Sequence, residues 1–228
     1  MFVRILLTAL LAGALAGVFV FAAHMAKTSP LILHAEIYEN AGSTHTHGAT
    51  ASAKENVSES EEWAPADGIE RGAYTLLADL LTSIGFAFVL VGAIALSGRD
   101  VDWRSGMVWG LCGFAAFFAS PSLGLAPELP GMQAADLQAR QIWWISAVAL
   151  TAGGLALIFF ANLKPIKAVG LLLIVAPHLI GAPPHEIHPG GVPAELAAEF
   201  VAATLVVSGL FWLLLGGLTG HFYRRFAS

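Results

Sequence analysis

The chain has 228 residues, of which 57% are hydrophobic and 12% charged, whereas roughly a quarter of an ordinary soluble domain is charged. Its net charge of -5 excludes a broad basic face for nucleic acid, because phosphate binding needs clustered Lys and Arg. Lipid is the solvent that suits this composition, and the single cysteine, Cys112, lies in an apolar segment where it provides no disulfide framework.

The first apolar run, 5–26, follows Arg4 and has the charge pattern of a signal peptide. It is long enough to cross about 30 Å of hydrocarbon, and His24 and Met25 spoil the small-x-small site near its end. It is therefore expected to remain as a signal anchor. His34, Glu36 and Glu39 follow directly. The stretch 40–62, rich in Ser, Thr, Ala and Glu without apolar periodicity, reads as a disordered external loop carrying His45 and His47.

Further apolar runs cover 73–96, 105–125, 141–163, 168–182 and 194–220, each bounded by charged, Gly or Pro residues. The run 168–182 reaches only about 22 Å as a helix, and Pro177 interrupts its end; a tilted, broken or re-entrant segment would each fit. These runs predict an all-α integral membrane protein: one domain over 1–228, a bundle of about six transmembrane helices, or five if the short one does not cross. With six spans, Arg4, Arg99, Arg104, Lys164, Lys167, Arg224 and Arg225 share one side, leaving Lys27, Lys54, Arg71 and Arg140 on the other. The positive-inside rule then makes both termini cytoplasmic. Of the carboxylates, only Asp100 and Asp102 fall on the inner side.

Trp63, Trp143 and Trp144 are expected as an outer interfacial belt, with Trp103, Trp109, Trp212 and Tyr223 as an inner one. Gly13 and Gly17, Gly106 and Gly110, and Gly216 and Gly220 have GxxxG spacing, which lets helix backbones approach closely in lipid.

His24, His34, His45, His47, His178, His185 and His188 fall on the predicted outer side, and His221 alone on the inner. Imidazole suits Co, Ni, Zn and Cu ions, and nearby carboxylates concentrate cations, so the outer loops match capture of a first-row metal. The densest piece is 177–188, where His178, His185, Glu186 and His188 gather at the end of the short fifth run. Short, Pro-interrupted helices mark transporter binding sites because they free backbone carbonyls. His185 and His188 could equally be ordinary loop residues. Glu195 and Glu199 share a helical face at the outer start of the last run, where acidic residues also complement the helix dipole. Asp79 is an intramembrane carboxylate, functional by default, with pairing to Arg140 or Arg71 as the structural alternative. The candidate metal ligands are thus His178, His185, His188, Glu199, Glu195, His34, Glu36 and Asp79.

The chain resembles the CbtA family of predicted cobalt transporter subunits over nearly its whole length. The likeness is carried by the run from Arg4 to Gly13, Pro30-Leu-Ile-Leu-His-Ala-Glu36, and Trp63-Ala-Pro-Ala-Asp-Gly-Ile-Glu-Arg71. It continues through Pro127-Glu-Leu-Pro-Gly-Met132, Arg140-Gln-Ile-Trp-Trp144, Pro177-His-Leu-Ile-Gly-Ala-Pro183 and Pro193-Ala-Glu-Leu-Ala-Ala-Glu-Phe200. The resemblance implies a bacterial inner-membrane protein tied to cobalamin biosynthesis and partnered by CbtB, a small single-span protein with a His-rich tail. Its motifs pick out Glu36, Asp67, Glu70, Arg71, Glu128, His178, Glu195 and Glu199.

No G-x-x-x-x-G-K-[ST] motif is present, so the chain is no P-loop ATP engine. The expectation is a non-enzymatic membrane subunit, without a tightly bound cofactor, that moves Co2+, with Ni2+ and Zn2+ as other candidate ions. The rivals are a metal-binding or assembly protein that supplies another permease, and a membrane enzyme or haem protein; the latter would need facing histidines deep in two helices.

Overall fold

The computed structural model describes residues 1–45, 64–184 and 191–227. Among them every regular element is helical: α1 (Phe2–Ala23), α2 (Ser29–His45), α3 (Ile69–Ser97), α4 (Trp103–Phe114), α5 (Ser120–Ser122), α6 (Leu137–Phe160), α7 (Lys164–Ile180) and α8 (Ala194–Arg225). Single π-helical turns, His24–Thr28 and Ala115–Ala119, join α1 to α2 and α4 to α5. Four stretches are long and apolar enough to cross a membrane: Phe2–Glu39, Ile69–Ser97, Leu137–Phe160 and Ala194–Arg225. They contain the cores of the first, second, fourth and sixth apolar runs. The third run forms the α4–α5 rod, and the fifth forms α7, 17 residues long.

Three sequence expectations need correction. The first helix does not stop near residue 26 but continues through Pro30 to His45, so 40–45 is helical; the rest of the expected loop, with Trp63, lies outside the described residues. Proline lacks an N–H, and its ring collides with the carbonyl four residues back. Widening the preceding turn to π geometry relieves that collision. Both π turns end just before a helix whose second residue is proline, Pro30 or Pro121. Pro177, in turn, does not break α7: it lies in the last turn, and the helix ends at Gly181, whose φ of +89° suits a residue without Cβ. Finally, Trp143 and Trp212 are core residues, 8% and 3% exposed, and Tyr223 is 7% exposed. Trp103 and Trp144 do keep exposed faces.

The helices pack as close pairs, α1 with α3, α4 with α8, and α6 with α7. Small residues set the separations. A Cβ at Gly106 or Gly110 would overlap the backbone of α8 at Gly216 or Trp212. Gly13 and Gly17 press against Ile84 and Leu80 of α3, and Gly154 of α6 faces Gly170 of α7. This is the role that GxxxG spacing serves in lipid, where backbone proximity and dispersion replace a hydrophobic drive between helices. One core, containing Ala12, Ala16, Val91, Ile94, Phe211, Trp212 and Leu215, joins α1, α3 and α8. Trp212 packs on Phe86 and Phe117, which ties α3 and the second π turn to it. The α6–α7 hairpin meets this body chiefly at the second π turn and α5. Beside that junction an apolar cleft of about 760 Å³ separates α6 from α3 and α4, with Cys112 in its wall.

Candidate metal-capture site

One end of the bundle is basic. Arg4 Nε donates to the Tyr223 carbonyl at 2.6 Å, and its guanidinium lies 3.5 Å from the centre of the Tyr223 ring. Arg99 Nη2 donates to the Phe159 carbonyl at 3.1 Å, over the Phe160 ring. Asp102 caps α4 in a reciprocal box with Ser105. The Ser105 hydroxyl, and then its backbone N–H, hold the Asp102 carboxyl below the usual carboxylate range.

The opposite end is acidic and is built on a small apolar hub. Ala35 of α2, wholly buried, packs with Leu129, Leu196 and Phe200. The hub brings the extension of the first helix, the 127–132 loop and the start of α8 together. Gly131, at φ +79°, lets that loop approach the backbone of Glu39. Around the hub, Glu36 and Asp67 both accept from Arg71, which holds Glu36 through two guanidinium nitrogens. Arg140 Nη2 lies 3.0 Å from Glu128 Oε2. Glu195 and Glu199 are exposed, one turn apart on α8. His34 is exposed, with its ring tilted against Tyr38.

Deeper in the bundle are two polar contacts between helices. His24 Nδ1 lies 3.1 Å from both carboxylate oxygens of Asp79. Asp79 therefore pairs with neither Arg140 nor Arg71, which hold other carboxylates; its partner is the histidine that opens the π turn after α1. In the second contact, His178 Nε2 is 3.1 Å from Ser120 Oγ, and Ser120 Oγ is 2.8 Å from Thr151 Oγ1. The edge of Trp143 faces His178. The first contact begins at one π turn and the second lies directly after the other.

The structure thus brings Glu36 to Arg71, Asp79 to His24 and His178 to Ser120, and leaves Glu195, Glu199 and His34 facing out. His185 and His188 lie outside the described residues. Among the described residues no three His, Cys, Asp or Glu side chains gather closely enough to hold one ion, so His178, Glu199 and Asp79 do not share one coordination shell. The sequence reading missed the roles of His24, Ser120 and Thr151. Proline was the available signal, Pro121 inside the third apolar run and Pro30 just beyond the first, since each π turn with its polar contact precedes one.

A family model described as probable cobalt transporter subunit (CbtA) matches residues 2–224. No curated protein and no solved structure matches the chain. A match over nearly the whole length, on a chain whose described regular elements are all helical and include four stretches long and apolar enough to cross a membrane, settles the family: the chain is a multi-pass membrane protein and belongs to the CbtA family of probable cobalt transporter subunits.

Proposed function

We propose that this subunit takes up Co2+ across the bacterial inner membrane for cobalamin biosynthesis, with the acidic end outside and both termini cytoplasmic. In this reading the α4–α5 rod and α7 also cross, giving six spans. The observation that carries it is the segregation of donors. Glu36, Asp67, Glu128, Glu195, Glu199 and His34 surround one end, while at the other end Arg4 and Arg99 are each held by a carbonyl and an aromatic ring.

External carboxylates raise the local cation concentration, and His34, His185 and His188 add nitrogen donors that favour transition metals over Mg2+ and Ca2+. His178 and Glu199 then act as successive stations, with the contact between His24 and Asp79 as a further one. An inside-negative potential contributes about 2.3 kcal/mol per charge per 100 mV. A divalent ion would gain about 4.6 kcal/mol, sufficient for roughly thousandfold accumulation without ATP. Nickel and copper bind most N/O sites more tightly than cobalt, so coordination geometry or delivery by a small His-rich CbtB-like subunit must supply selectivity.

The second reading, a membrane metal-binding protein that supplies another permease, is favoured by the ion pairs: Glu36 and Glu128 are already held by Arg71 and Arg140. Flux into proteoliposomes separates the two. Reconstituted chain, with and without the His-rich subunit, is given Co2+, Ni2+ or Zn2+ under an inside-negative potential. Potential-dependent Co2+ accumulation is expected. Metal binding without flux under either condition would transfer the assignment to the second reading.

A further inference from the structure

We infer that His24 is a ligand of the transported ion, reached after the outer surface, and that Asp79 orients it from behind without binding the metal itself. This rests on the cobalt-uptake reading and adds to it a residue that the sequence pattern did not single out.

His24 Nδ1 is equidistant, at 3.1 Å, from Asp79 Oδ1 and Oδ2. With the carboxylate ionised and the imidazole neutral, Nδ1 donates to Asp79 and the lone pair is on Nε2. Nε2 has no hydrogen-bond partner among the described residues. This is the arrangement by which proteins prepare a histidine for a metal: a carboxylate behind the ring fixes the tautomer, fixes the ring plane and makes the free nitrogen a better donor.

The surrounding fold holds that geometry. Gly13 and Gly17 seat α1 against α3 at Ile84 and Leu80, which fixes the gap that the His24–Asp79 contact spans. The π turn begins at His24, whose carbonyl accepts the Ser29 backbone N–H and also, at 3.3 Å, the Thr28 hydroxyl. The Asp79 side chain is 14% exposed and that of His24 30%, so the carboxylate is shielded and the imidazole is the accessible partner. Along the helix, His24 stands roughly 30 Å from Arg4, on the outer side of the bundle under the orientation proposed above.

One imidazole with water completing the shell binds an ion weakly, which is what transit requires, since a station must release its ion as well as accept it. It also filters, because a nitrogen donor favours cobalt, nickel and zinc over the hard cations.

The alternative is a polar clasp with no part in binding, and His24→Asn separates the two. Asn can keep an amide N–H toward Asp79 but has nothing in place of Nε2. At equal amounts of protein in the membrane, His24→Asn is expected to raise the Co2+ concentration for half-maximal uptake at least tenfold. Asp79→Ala is expected to raise it by roughly 10- to 100-fold, the usual cost of losing an orienting partner, and Asp79→Asn, which still accepts from Nδ1, by less than Asp79→Ala. Wild-type half-saturation in His24→Asn would overturn the assignment. An Asp79→Asn defect equal to that of Asp79→Ala would make the carboxylate a direct ligand and also overturn it. A second measurement needs no variant and no flux: diethyl pyrocarbonate modification of His24 in the purified wild-type protein, read by mass spectrometry. Co2+ should protect His24 where Mg2+ does not. Equal modification with and without Co2+ overturns the inference even if uptake is normal, whereas protection without uptake leaves it standing and overturns the transport reading alone.

Discussion

At the basic end of the bundle the contacts of Arg4 and Arg99 are part of the fold itself. Arg4 closes α1 onto the end of α8, and Arg99 closes α3 onto the end of α6, each through a backbone carbonyl and an aromatic ring. At the acidic end, side chains hold side chains: Arg71 bridges Glu36 and Asp67, Arg140 holds Glu128, and carboxylates outnumber the available cations. A helix end tied through its backbone is a structural fastening. A surface of partly neutralised carboxylates beside exposed Glu195, Glu199 and His34 retains capacity to attract a cation. Under the proposed function, the difference separates the part of the molecule that builds the bundle from the part offered to the ion.

The sharpest way to break that division is to disrupt the glycine contacts that hold the helix pairs together. Gly110→Val places atoms inside the Trp212 backbone of α8, and the expected outcome is loss of monodisperse protein on size exclusion in detergent. Gly153→Ala, with open space around it, should be neutral or stabilising by up to about 1 kcal/mol through helix propensity. If the two behave alike, close backbone packing does not hold the bundle.

A smaller effect is expected at the polar contact between α5, α6 and α7. Ser120→Ala leaves His178 Nε2 and the buried Thr151 hydroxyl without their shared partner, at a cost of about 1–3 kcal/mol. Ser146→Ala removes only an exposed bond to the helix's own backbone and serves as the control. Thermal unfolding in detergent reads both, and equal shifts would remove the contact from the account.

The smallest effect belongs to the basic end. The depressed Asp102 pKa means that folding favours its ionised form. That contribution is fully present above the ordinary carboxyl value of about 3.9 and is lost as pH falls through the depressed value. Asp102→Ala should therefore lower the melting temperature slightly at pH 7, with the gap from wild type closing at the acid extreme. A gap that widens with acid would contradict the sign.

Most of the helical architecture was legible in the sequence because apolar runs of membrane length have little alternative to helix in lipid, and GxxxG spacing pointed to the tight interfaces. The continuation of the first helix past Pro30 was not legible, since a π turn absorbs the proline and hydropathy has no mark for it. Trp143 and Trp212 were assigned to interfacial belts because position along an apolar run does not reveal which face meets another helix. The separate candidate residues were visible one by one, but their partners were not. His24 and Asp79 are 55 residues apart, and their meeting depends on how closely Gly13 and Gly17 let α1 approach α3.

The central claim is that the two ends do different work, and one uptake experiment tests it directly. Cells carrying His34→Ala, Glu195→Gln and Glu199→Gln together are compared with cells carrying Arg99→Gln and Arg104→Gln, at matched amounts of chain in the membrane and subsaturating Co2+. The acidic-end set is predicted to lose at least tenfold in initial Co2+ uptake, and the basic-end set to stay within about twofold of wild type. Equal losses, or a loss confined to the basic-end set, would contradict the account.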